Sequence, residues 1–92
     1  MKLKSGFVVR NIMDEYVVVP VGQRVTEFNG LITLNETGLF IWNKLAEKEC
    51  TAKELVDAIL DEYDIDEQTA SVDVAHFAMI LAQQNLLEKS DS

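Results

Sequence analysis

Every strand-like pattern in this chain lies before residue 35, and every helix-like pattern lies after it. Phe7-Val8-Val9-Arg10-Asn11-Ile12 and Tyr16-Val17-Val18-Val19-Pro20-Val21 are rich in β-branched and aromatic residues. Met13-Asp14-Glu15 between them reads as a tight turn, with Asp14 as the turn former. Pro20 has no N–H to give to a ladder, so it marks a strand end or an edge position. Residues 22–29 are polar and mixed, Asn29-Gly30 is a strong turn dipeptide, and Leu31-Ile32-Thr33-Leu34 makes a short third strand. Strands that all precede the helices argue against a parallel sheet wound with crossover helices.

The remainder divides into three helices. Asn35 suits an N-cap, and Gly38, Ile41, Trp42 and Leu45 fall on one face of a helix ending near Lys48. Trp42 is therefore read as core. Thr51-Ala52-Lys53-Glu54 has the form of a capping box, followed by a stripe of Ala52, Leu55, Val56, Ile59, Leu60 and Tyr63. After an acidic connector, Asp64 to Asp66, a third helix runs from about Glu67 to Gln84 with Ala70, Val74, Phe77, Ala78 and Leu81 on its core side. Leu86 and Leu87 are expected to pack back against it. The fold expected is α+β and winged-helix-like: three short antiparallel strands followed by a three-helix bundle. It forms a single domain over residues 1–92, of which about 4–88 are ordered.

Charge excludes one large class of partner. Residues 1–34 carry a net +1 and residues 35–92 a net −9, for −8 overall. Acidic helices repel phosphate backbones and cannot release their counter-ions, which argues against a nucleic-acid partner. No stretch approaches the ~20 apolar residues of a membrane span, and no signal-type run follows Met1-Lys2-Leu3-Lys4. A cytoplasmic location, with no membrane partner, is the expectation.

Catalytic constellations are absent from the pattern. Gly6, Gly22, Gly30 and Gly38 are too far apart to form a phosphate-binding loop. Cys50 is the single cysteine and His76 the single histidine, too few for a structural zinc site, and no carboxylate is placed to orient them as a nucleophile pair. Cys50 reads as a turn residue and His76 as solvent-facing. The carboxylates between Asp57 and Glu67 lack the glycine and alternation of a calcium loop. The expectation is no catalytic residue, no metal and no cofactor.

Leu31-Ile32-Thr33-Leu34-Asn35-Glu36-Thr37-Gly38, followed by the Ile41-Trp42 helix, resembles the strand–"LN-x-T-G"–helix junction of the PqqD family and its relatives, the RiPP recognition elements. The likeness continues through Thr51-Ala52-Lys53-Glu54-Leu55, Tyr63-Asp64-Ile65-Asp66, Asp73-Val74 with Phe77 and Leu81, and Leu86-Leu87, and covers about Lys4 to Glu88. It departs at Glu49-Cys50, where the family usually has Asp-Gly. It departs again at residues 22–29, which are longer than the simplest family pattern and could extend the hairpin. The resemblance implies a peptide chaperone of natural product biosynthesis. Such a domain binds the leader segment of a precursor peptide as an extra strand and presents it to a modifying enzyme, often a radical SAM protein.

Carried onto this sequence, the peptide platform is Leu31, Ile32, Thr33 and Leu34, with the nearby flank of the third helix. A third strand that runs straight into a helix leaves an edge for another chain to pair with. Beside the core stripe of the third helix lies a row of small or flexible residues, Val72, Ala75, Met79 and Ala82. That row is either a groove wall for peptide side chains or a wide core stripe under the sheet. A monomer or weak dimer is expected. The competing classes are an interaction or dimerisation module using the same edge, and a winged-helix DNA-binding regulator.

Overall fold

The computed structural model describes residues 1–26 and 32–88. β1 (Phe7–Ile12), β2 (Glu15–Pro20) and β3 (Ile32–Leu34) form an antiparallel sheet in that order, and α1 (Glu36–Glu47), α2 (Ala52–Glu62) and α3 (Glu67–Gln83) follow. The expected α+β order therefore holds. A short 3-10 helix, Gly22–Thr26, takes up much of residues 22–29, the segment that could extend the hairpin. Asn29-Gly30 lies outside the described residues.

The β1–β2 connection is a two-residue turn, with Ile12 paired to Glu15 and both Met13 (φ 51) and Asp14 (φ 69) left-handed. Such a turn matches the right-handed twist of its strands. Asn35 caps α1 by accepting from the Gly38 N–H at 2.7 Å. Thr51 and Glu54 complete the reciprocal capping box on α2. Asp66 accepts from the Thr69 N–H at 2.7 Å to cap α3. At the other end of α3, Asn85 (φ 60) reverses the chain. The Leu86 N–H then returns to the Leu81 carbonyl at 2.9 Å and the Asn85 N–H to the Ala82 carbonyl at 3.1 Å. This is the Schellman pattern, and its hydrophobic partners Leu81 and Leu86 are both fully buried.

The core joins the inner face of the sheet (Val18, Ile32, Leu34) to one stripe of each helix. Ile41, Trp42 and Leu45 come from α1, Leu55, Val56 and Ile59 from α2, and Ala70, Val74, Phe77 and Leu81 from α3. Ala52, expected in the α2 stripe, is exposed at the first position of its helix. Cys50, expected as a plain turn residue, is core at 4% exposure. Its N–H donates to the Met1 carbonyl at 2.9 Å, which holds the turn against the N-terminal segment. That segment also pairs with the C-terminal one through a Leu3–Leu87 antiparallel bridge, with Lys4 N–H to Leu86 O and Glu88 N–H to Lys2 O both at 2.8 Å. Leu86 and Leu87 thus pack back as expected, held by a chain segment that the local pattern did not identify.

Candidate functional site

β2 is the central strand, and β3 has it as its sole strand neighbour among the described residues. The ladder fixes which β3 groups face outward. The Val21 N–H donates to the Gly6 carbonyl at 2.9 Å, so Val21 directs its backbone groups toward the β1 side. Successive residues of an antiparallel strand alternate in this respect. Val19, Val17 and Glu15 therefore face β1, while Val18 and Tyr16 face β3. Val18 is opposite Ile32 and Tyr16 opposite Leu34. Ile32 and Leu34 consequently exchange hydrogen bonds with β2. Thr33 directs both its N–H and its carbonyl to the open edge. By the same alternation Pro20, with no N–H, faces the β3 side beyond Val18–Ile32, the last β2–β3 pair among the described residues, where it costs no described ladder bond.

Beside this edge is a cavity of about 370 Å³ between β3, the start of α1 and one flank of α3. Ile32, Thr33 and Leu34 line one side, and Asn35, Thr37 and Gly38 the end. Asp73, His76, Phe77 and Ile80 form the α3 wall. Gly38 explains why the junction is tight. A Cβ there would stand 3.0 Å from the Asn35 Oδ1 and 3.4 Å from the Phe77 ring. The glycine thus lets one short turn cap α1 and still admit the α3 aromatic. The junction motif fits its geometry at that residue.

The expected platform is only partly brought together. Ile32, Thr33 and Leu34 line the cavity, and Leu31 lies outside the described residues. Val72, Ala75, Met79 and Ala82 do not line it: all four are exposed, on the opposite flank of α3. They are neither core nor cavity wall, because packing Phe77 against Gly38 rotates the Asp73–Ile80 flank toward β3. Asp73, His76, Phe77 and Ile80 stand at i, i+3, i+4 and i+7, a helical face in its own right. A search for an apolar row passes over it, since half of the face is polar. His76 is exposed as expected, and it also stands in the cavity wall.

A second hollow of about 420 Å³ lies between the N-terminal segment and α1. Its rim mixes Lys2, Lys4 and Lys48 with Glu47, Glu49 and Glu88, and Lys2 already meets Glu88 at 3.6 Å. It adjoins no open strand edge formed by β3. The resolved titration shifts also lie away from the β3 cavity. Hydrogen bonds from Thr51 and Thr69 hold the Glu54 and Asp66 carboxyls below their ordinary range, and desolvation followed by nearby Glu36 and Glu62 raises Tyr63.

No curated protein matches the chain. A solved structure of TbiB1 in complex with the TbiA(beta) leader peptide is similar over the full length of both chains, with 32% identity and a TM-score of 0.74. The family model described as Coenzyme PQQ synthesis protein D (PqqD) matches residues 15–87, from the start of β2 to the Leu3–Leu87 bridge. With that match running through the β3–α1 junction and all three helices, the chain belongs to the PqqD family.

Proposed function

We propose that this domain is a non-catalytic adaptor that takes the leader segment of a ribosomally made precursor peptide as a fourth strand along β3. It then presents that peptide to a modifying enzyme, of radical SAM type in the reading that the family resemblance implies. The observation that carries the proposal is the open edge at Thr33, with a cavity directly beside it. Main-chain bonds along an open edge supply affinity with little dependence on sequence, and an adjoining cavity selects alternate side chains. TbiB1, whose structure contains a leader peptide, supports the same use of the fold here. The platform comprises Leu31, Ile32, Thr33 and Leu34 with the Asp73–Ile80 flank of α3, and not the Val72–Ala82 row.

Amide exchange read residue by residue tests this. Leader segments encoded by short reading frames beside the gene are titrated into the domain. The Thr33 amide should gain protection on binding, while Ile32 and Leu34, already bonded to β2, should change little. Binding without protection at Thr33 would remove strand addition from the mechanism. If no leader binds more tightly than about millimolar, the adaptor function itself fails. Light scattering of the free domain separates either result from pairing between two copies of the same edge.

A further inference from the structure

Asp73 stands in the wall of the β3 cavity with no counter-ion among the described residues. It is half-buried, and among the described residues no hydrogen bond or ion pair engages its carboxylate. α3 contains neither lysine nor arginine. With histidine neutral, Asp73 carries the one formal charge among the residues that line the cavity. Its neighbours Phe77 and Ile80 are apolar, so an opposite charge brought there is screened less than one on open surface.

Strand geometry limits which peptide residue could reach it. In a strand paired to β3, residues opposite Ile32 and Leu34 share their face of the sheet, which is the face toward α3. The residue opposite Thr33 faces away. Two side chains about 7 Å apart therefore enter the cavity. The wall from Asp73 to Ile80 runs about 10 Å along the helix. One side chain thus fits against Phe77 and Ile80, and the other reaches the acidic end of the wall.

We infer that the peptide added to β3 carries a lysine or arginine that pairs with Asp73, two residues from an apolar side chain that fills the space against Phe77 and Ile80. This rests on the leader-binding reading and names the class of leader it takes. Arginine is the better fit, since its fork tolerates partial desolvation and grips a carboxylate with two bonds. The domain's overall −8 charge would draw any basic peptide from a distance, but that field does not depend on one residue.

Peptides selected from a random display library on the wild-type domain, and discarded if they still bind Thr33→Pro, provide the probe. Lysine or arginine should be enriched at one of the two cavity-facing positions, and Asp73→Lys should select aspartate or glutamate there. Replacing the basic residue of a selected peptide by citrulline or norleucine should weaken binding roughly three- to tenfold. Asp73→Asn should weaken it by the same factor, and the two losses should not add. Asp64→Asn removes an equal charge elsewhere and should leave affinity within about twofold. Edge-pairing peptides without a basic preference, or unchanged binding to Asp73→Asn, overturn the pairing with Asp73 while leader binding stands. If no edge-pairing peptide emerges from wild type, both fall together.

Discussion

Proline substitution separates the two sides of β3, because it deletes a backbone donor and leaves the rest of the chain in place. Ile32 donates inward to β2 and its side chain is 6% exposed. Ile32→Pro removes buried apolar contact worth about 2–4 kcal/mol. It also leaves the Val18 carbonyl without its donor, at about 1–3 kcal/mol. A loss of roughly 3–7 kcal/mol approaches the whole stability of a small domain. Thr33→Pro behaves differently. Its side chain is exposed, its N–H faces the open edge, and Ile32 before it is already extended, as a residue preceding proline prefers. The free domain should lose no more than about 1 kcal/mol. The bound peptide would lose one ladder bond and orphan a carbonyl, for about 2 kcal/mol or roughly 30-fold in affinity. Urea melts of both variants, followed by calorimetric titration with a leader, read the two effects separately. A stable Ile32→Pro beside an unfolded Thr33→Pro would mean that the ladder alternation is inverted. A folded Thr33→Pro that binds at wild-type affinity would refute pairing along β3.

Four further outcomes follow from the packing and the caps. Gly38→Val should cost about 2–3 kcal/mol by urea titration, because its Cβ meets the Asn35 cap at 3.0 Å and presses Phe77. Trp42, at 5% exposure, should emit blue-shifted fluorescence, and Trp42→Ala should lose about 3–5 kcal/mol; a red, readily quenched emission would place it at the surface. Cys50 should resist alkylation in the native protein and react on unfolding, so fast labelling of the folded domain would contradict its burial. Glu54 and Asp66 have folded pKa values held below their ordinary 4.5 and 3.8, so their stabilisation is complete above those values and is lost as pH falls through the lowered folded ones. Asp66→Asn keeps a capping oxygen that does not titrate, and its melting temperature should fall less steeply below pH 3.8 than that of wild type.

Local chemistry was enough to determine the order of elements and most of their ends. Strand and helix differ in hydrophobic period, and each cap or turn is a contact among residues no more than five apart, so Thr51 with Glu54 and Asn35 before Gly38 can be read without a fold. The edge of β3, on which the proposed peptide platform rests, was legible for the same reason, since a strand that enters a helix at once leaves an edge behind. Relations between elements needed the tertiary structure. Periodicity indicates that α3 has faces, but rotation about its axis is set by what packs on it. The close approach of Phe77 to Gly38 turned Asp73, His76 and Ile80 toward β3 and left Val72, Ala75, Met79 and Ala82 on the far flank. Burial of Cys50 depended on Met1, 49 residues away, and the Leu87 segment on Leu3. The outward amide at Thr33 required the ladder to be counted across two strand pairs. A sequence supplies the alternation of a strand, but only hydrogen bonds to its neighbours determine which half of it remains open.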